Sequence, residues 1–342
     1  MTEAPNQLVT RALDSLASGQ DLSADEAAGV LAEIMAGEVT NAQIAGFLIA
    51  LRTKGETIAE LAGLARTMRS LATPVSVARE NLVDTAGTGG GRSTFNVSTT
   101  AALIAAAAGC AVAKHGNRSA TSRSGSADLL EALGARIDLA PADVARCIEE
   151  VGFGFMFAPA HHHATRYVVP VRRDLAVRTI FNFLGPLTNP AGARRQLVGV
   201  GDAAYLETIA GALALLGVDR ALIVASEDGL DEISATGPTR VIEVNGERIE
   251  RYTVAPADLG IESRAGDGAE GGDPAHNAAV TRAVLAGQQG AARELALVNA
   301  GATIYAADGA QTLREGVAAA AEAIDDGRAL ATLDAYVSAT HA

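Results

Sequence analysis

Apolar positions in the first seventy residues recur with a helical period. Ile44, Phe47, Leu48 and Leu51 stand at i, i+3, i+4 and i+7, and Leu61, Leu64, Met68 and Leu71 repeat the spacing. One apolar stripe per segment predicts helices packed in a small bundle. Polar punctuation agrees: Ser23/Glu26, Thr40/Gln43 and Thr57/Glu60 are three capping-box pairs. Gly55 supplies a helix stop and Pro74 ends the region.

From Leu82 the pattern alternates between short apolar runs and helical segments. Strands are predicted at residues 82–85, 111–113, 153–157, 196–200 and 221–225. Helices are predicted at 98–108, 126–133, 142–151 and 203–216, and strand–helix–strand repetition means parallel pairs, with a sheet buried on both faces. Residues 241–244 and 248–254 flank Asn245-Gly246, the signature of a type I′ hairpin. Residues 264–274 read as a Gly/Asp/Glu-rich loop, and the tail from Asn277 is helical again. The expected domains are a small helical one at 1–73, joined by residues around 165–190, and an α/β one at 74–342.

Composition narrows the function. The chain of 342 residues is 49% hydrophobic and 20% charged, which suits a folded protein with a large core. Lys plus Arg number 27 against 40 for Asp plus Glu, a net charge of −13, so nucleic acid is not an expected partner. The longest apolar run, residues 101–113, is shorter than the ~20 residues that span a bilayer. The N-terminus lacks the charge and apolar pattern of a secretory signal, and a cytoplasmic protein is expected. Cys110 and Cys147, each in an apolar helical context, read as buried thiols.

Four stretches carry chemistry. Asp84-Thr-Ala-Gly87-Thr-Gly89-Gly90-Gly91-Arg92-Ser-Thr94-Phe-Asn96-Val97-Ser98-Thr99 places glycines between a strand and a helix, where successive N–H groups and the helix N-terminus suit a phosphate or diphosphate. Neither the dinucleotide fingerprint nor the Walker pattern fits it. Lys114-His115-Gly116-Asn117-Arg118-Ser119 follows the second strand, then Ser122, Ser124 and Ser126, as a second anion cradle. Asp231-Glu232 follows a later strand and can bind Mg²⁺ beside a polyphosphate. His161-His162-His163 leads to Arg172, whose planar fork matches a carboxylate, and consecutive histidines diverge too far to share one ion easily.

Taken in order, Gly87-Thr-Gly-Gly, Asn96-Val-Ser-Thr99, Lys114-His-Gly-Asn-Arg118, Ser124-Gly-Ser-Ala-Asp128, Pro170-Val-Arg-Arg173 and Arg178-Thr-Ile-Phe-Asn-Phe-Leu-Gly-Pro-Leu-Thr-Asn-Pro190 resemble the anthranilate phosphoribosyltransferase family, over about residues 8–333. The resemblance implies a small α-helical domain on a larger α/β domain with a mostly parallel central sheet, like that of nucleoside phosphorylases. It implies a homodimer with a ligand cleft between the domains. The implied reaction moves phosphoribose from 5-phosphoribosyl 1-diphosphate to the amine of anthranilate, with Mg²⁺, in tryptophan biosynthesis. Carried over by motif, Gly87, Gly89, Gly90, Thr94, Asn96, Val97, Ser98, Thr99, Lys114, His115, Gly116, Asn117, Arg118 and Ser126 would meet the donor. Gly87, Asn117, His162 and Arg172 would meet anthranilate, and Ser98, Asp231 and Glu232 would hold the metal. Lys114, Asp231 and Glu232 would act in catalysis.

Two departures from the family pattern stand out. Gly91-Arg92 replaces an acidic residue in the glycine loop, which is one residue shorter. His162-His163-Ala164-Thr165 replaces the usual His-Pro-Ala-Met. Arg92 either adds a cation to the donor site or points to solvent. The alternatives to the transferase are a related nucleoside phosphorylase and a non-catalytic phosphoribosyl-ligand sensor.

Overall fold

In a computed structural model that describes residues 4–119, 123–262 and 269–342, four helices come first. They are α1 (Gln7–Ala17), α2 (Ala24–Ala36), α3 (Asn41–Lys54) and α4 (Ile58–Ser70). Ser23 and Thr57 form complete capping boxes. At Thr40 only half of the expected box exists, because the Gln43 amide turns across to Asn6 and Thr10 and ties α3 to α1. The α3 stripe is wholly buried, whereas Leu71, expected in the α4 stripe, lies past the helix end and is 48% exposed.

The α/β region follows as β1 (Val83–Gly87), α5 (Val97–Ala107), β2 (Val112–Gly116), α6 (Ser126–Ala132), α7 (Pro141–Val151), β3 (Phe153–Phe157), α8 (Ala158–His161), α9 (Val169–Leu175) and α10 (Phe181–Leu187). Then come β4 (Arg195–Gly199), α11 (Leu206–Leu215), β5 (Arg220–Ser226), β6 (Thr239–Asn245), β7 (Arg248–Val254), α12 (Pro274–Leu285), α13 (Ala291–Ala306), α14 (Leu313–Asp325) and α15 (Arg328–Ala339). The helix expected at 203–216 opens instead with a 3₁₀ turn, Ala203–Tyr205. Cys110 lies between α5 and β2 and not in a helix, though it and Cys147 are both buried free thiols.

Among the described residues the strands form one sheet, in the order β3-β2-β1-β4-β5-β6-β7. The first five are parallel, and β6 and β7 return antiparallel. The chain builds outward from β1 to β3, then comes back to lay β4 on the other side of β1. That reversal opens a crevice at the carboxyl ends of β1 and β4, where parallel sheets bind ligands.

The β6–β7 turn is displaced by one residue from the expected hairpin. Asn245 pairs with Arg248, so the loop is Gly246-Glu247. Only Gly246, at φ +58°, is left-handed, which is the II′ pattern and not I′. Only Val254 of the edge strand β7 is fully buried, so burial on both faces fails at this edge, whereas the opposite edge strand, β3, is buried from Phe153 to Met156.

Alternation along those strands divides the core. Leu222 and Val224 join the apolar cluster under α5 and α13, while Ala221, Ile223 and Ala225 join the cluster of the helical bundle. Val168, Val171, Phe181, Leu184 and Leu187 lie in that second cluster with the residues of α1–α4. No helix among the described residues is long and apolar enough to cross a membrane.

Candidate active site

Three turns meet at the crevice. The first leaves β1, whose last residue is Gly87. Gly89 and Gly90 adopt φ +66° and +89°, a region that side chains disfavour. The loop is pressed onto its neighbours: Thr88 N–H donates to the Gly199 carbonyl at 2.9 Å, and Arg92 N–H to the Gly229 carbonyl at 2.7 Å. A Cβ on Gly91 would come within 2.7 Å of the Asp231 backbone nitrogen. Packing against Asp231 therefore demands glycine at 91.

Arg178, which motif reading passed over as a site residue, clamps this loop. Its Nη1 donates to the Gly89 carbonyl at 2.7 Å and its Nη2 to the Thr88 carbonyl at 3.0 Å. Arg52 on α3 donates to the Arg178 carbonyl at 2.7 Å. Arg52, Glu56, Arg178 and Tyr205 line a cleft between the bundle and Gly90. Only folding brings residues 52, 89 and 178 together, although Arg178 opens the longest of the matched motifs.

The second turn follows β2. Lys114, His115 and Gly116 belong to the strand itself and not to the loop after it, so alternation decides their fates. Lys114 is 1% exposed and donates to the Thr85 carbonyl at 2.6 Å and to the Thr85 and Ser98 hydroxyls at 3.1 and 3.4 Å. Burial lowers its pKa, opposed by the charges of Asp84 and Glu232. His115 approaches the Gly185 carbonyl through Nδ1 at 3.1 Å, and its ring lies 5.1 Å from that of His162.

Beyond the strand, Asn117 is exposed and Arg118 is bound to Asp128 and Glu131. Asp128 also accepts from the N–H groups of Ser119 and Gly125, which orders the loop ahead of Ser126. Arg118 is thus paired with carboxylates in this arrangement. Ser122 lies outside the described residues.

The third turn follows β5 and carries Asp231 and Glu232. Both keep some solvent contact, but protein atoms crowd the carboxyls. Burial raises the Asp231 pKa, opposed in part by backbone N–H groups that include that of Gly89. Burial followed by the Asp231 charge pushes Glu232 up to about 8, and Lys114 and the Ser98 N–H offset this only in part. Two adjacent carboxylates with too little positive charge around them, one of them accepting from the Ser98 N–H, offer hard oxygen donors that fit a divalent cation.

At the head of α5, Val97 and Thr99 are buried, and the Thr99 hydroxyl has no hydrogen-bond partner among the described residues. The helix terminus offers backbone as well: no acceptor for the Thr99 N–H lies among the described residues. Thr94 forms an isolated antiparallel bridge with Glu270. On α9, the Arg172 guanidinium lies 5.3 Å over the Phe181 ring, half-buried, with its pKa lowered by burial. The three histidines separate: His161 meets the Thr73 carbonyl, His162 meets the His115 ring, and His163 is exposed.

A family model described as "Glycosyl transferase family, a/b domain" matches residues 79–330, and one described as "helical bundle domain" of that family matches residues 10–72. Anthranilate phosphoribosyltransferase of Rubrobacter xylanophilus is 52% identical, over 96% of this chain and 97% of its own length. The chain belongs to the anthranilate phosphoribosyltransferase family. The family enzyme from Thermus thermophilus superimposes with a TM-score of 0.91 at 45% identity, covering 97% of this chain and 99% of its own. The Saccharomyces cerevisiae family enzyme, solved in complex with PRPP and Mg, superimposes with a TM-score of 0.88 at 27% identity, covering 97% of this chain and 98% of its own. Against the family pattern, the substituted Arg92 is exposed and its charge acts on Asp228.

Proposed function

We propose that this protein transfers phosphoribose from 5-phosphoribosyl 1-diphosphate to the amino group of anthranilate, giving N-(5-phosphoribosyl)anthranilate and diphosphate, in tryptophan biosynthesis. The observation that carries the reading is the meeting of the Asp231–Glu232 pair with the glycine loop and the open head of α5 at one crevice. Mg²⁺ held by Ser98, Asp231 and Glu232 would supply charge stabilisation to the departing diphosphate.

The protein's own part is positioning and electrostatics. Anthranilate's aromatic amine is neutral at pH 7 and already nucleophilic, so no strong base is needed. Loss of diphosphate leaves positive charge on the ribose, and N–H groups of Gly90 and Thr99 in the cradle favour the anion that leaves. The buried Lys114 acts from beneath, fixing Thr85 and Ser98 and lending positive charge to Glu232. Gly89, Thr94, Asn96, His115, Gly116, Asn117, Arg118 and Ser126 complete the donor side. Gly87, Asn117, His162 and Arg172 form the acceptor side, with Arg172 on the carboxylate. The division into a helical unit of 1–73, joined by 165–190, and an α/β unit of 74–342 belongs to the same proposal. So does a homodimer, on the family resemblance alone, and so does a cytoplasmic location.

Loss of anthranilate fluorescence on adding donor and Mg²⁺ tests the reaction. Release of base from a nucleoside with phosphate would favour a phosphorylase, and donor binding without turnover a sensor. Arg172→Ala should raise the anthranilate KM by about tenfold or more, the loss of a charge-assisted contact of roughly 1.5–3 kcal/mol. An unchanged KM removes Arg172 from the acceptor site.

A further inference from the structure

The first four helices share a rule that α5 breaks. At Asn6, Ser23, Thr40 and Thr57 the backbone is extended, with ψ between 121° and 162°, and the side-chain oxygen accepts from a first-turn N–H. Asn96 is as good a cap by residue type, yet its ψ is 68° and its side chain makes no cap bond.

Its oxygen is held elsewhere. Oδ1 accepts from Asn277 Nδ2 at 2.8 Å and from Ser124 Oγ at 3.0 Å, which occupies both lone pairs. Nδ2 donates to the Ser124 carbonyl at 3.0 Å, leaving one amide hydrogen over. Asn277, 2% exposed on α12, receives the Gly272 N–H on its own Oδ1 at 2.8 Å, so the end it turns to Asn96 is its NH₂.

One turn further along both helices, the Thr281 and Thr100 hydroxyls lie 3.0 Å apart in the core. Thr100 donates to the Asn96 carbonyl at 3.1 Å, so the proton between the two hydroxyls is that of Thr281. Both cross-helix bonds run from a donor on α12 to an acceptor on α5.

We propose that Asn277 is a positioning residue that stops Asn96 from capping its own helix, and so keeps the Thr99 N–H and the remaining Asn96 N–H available to the anionic end of the phosphoribosyl donor. The inference rests on the function proposed above. A cap forgone at a helix end where a ligand supplies the acceptor is a local rule broken for function.

Asn277→Ala removes the NH₂ that holds Asn96. Calorimetry with 5-phosphoribosyl 1-diphosphate and Mg²⁺ should show a Kd weaker by about tenfold, while the anthranilate KM stays within about twofold. Hydrogen exchange at the Thr99 amide should slow, because Asn96 Oδ1 can now accept from it. Asn277→Asp, which accepts from Gly272 but offers Asn96 no N–H, should behave alike and carries the test if the alanine variant does not fold. Thr281→Val leaves the amide network intact and should lower the Tm without changing the donor Kd. An unchanged donor Kd in a folded Asn277 variant overturns the proposal. So does weaker binding with faster Thr99 exchange, which would mean that α5 has merely loosened. A wild-type protein that binds the donor but consumes no anthranilate would sink the proposed reaction and leave this role standing.

Discussion

The glycine loop after β1 and the serine loop after β2 are both turns of a parallel sheet, but they are held in opposite ways. The first is fixed by backbone: its carbonyls are gripped by Arg178 and its N–H groups by Gly199 and Gly229, with no room for a side chain at Gly91 and the Arg178 guanidinium filling the space beside Gly90. The second is fixed by charged side chains, with Arg118 bridging Asp128 and Glu131. The first rests on the metal-ligand candidates at 231–232, so its shape and the cation site are one structure. The second is exposed at Asn117 and Arg118, and its deep anchors are Lys114 and His115 within the strand. Backbone clamping gives a rigid cradle, whereas exposed ion pairs are worth little individually.

The sharpest way to break the first loop's partnership is to discharge its floor. Asp231→Asn combined with Glu232→Gln should lower turnover by about a hundredfold or more and raise the Mg²⁺ requirement. Wild-type metal dependence in the double variant would return the pair to ordinary surface carboxylates.

The anchor of the second loop is read through pH. His115 is buried and its pKa is pushed down to about 3, by burial first and then by His162. An unfolded chain binds that proton near pH 6.5 and the native state does not, so this group's contribution is complete above about 6.5 and erodes as pH falls toward 3. The loss should be about 1.4 kcal/mol per pH unit for this one group. His115→Asn keeps a donor for the Gly185 carbonyl but cannot titrate, so denaturant melts of the variant between pH 6 and 4 should show a shallower decline. Parallel curves for the two proteins would refute the assignment.

Arg178→Lys separates a fork from a point charge. One ammonium cannot grip the Gly89 and Thr88 carbonyls in the same planar geometry, so the donor KM should rise by roughly threefold to tenfold. A KM equal to wild type would show that the loop is held by its N–H bonds alone. The smallest effect is expected at Arg92→Ala. Arg92 is exposed and its charge acts on Asp228, so the donor Kd should stay within about twofold at low and high salt. Weakening confined to low salt would instead assign Arg92 to the donor site.

The chain's own pattern determined much. A period of 3.6 in α3, a strand-length apolar run at 153–157, and glycines set between a strand and a helix are local signals, written within a few residues of where they act. The motif residues of the three turns were legible for the same reason. Asn-Gly is only a preference for the hairpin loop, and pairing across the strands sets the loop one residue later, at Gly246-Glu247. The apolar run stops before Lys114 and predicts a loop there; the sheet carries the strand on to Gly116, and the Thr85 and Ser98 oxygens make the burial of Lys114 possible. Arg178 on the glycine loop, and Asn277 against Asn96 from 181 positions away, belong to tertiary structure alone. A hydrogen bond needs an acceptor within about 3 Å, and distance in space between such residues is decided by how the helices and the sheet pack, which no spacing along the chain records.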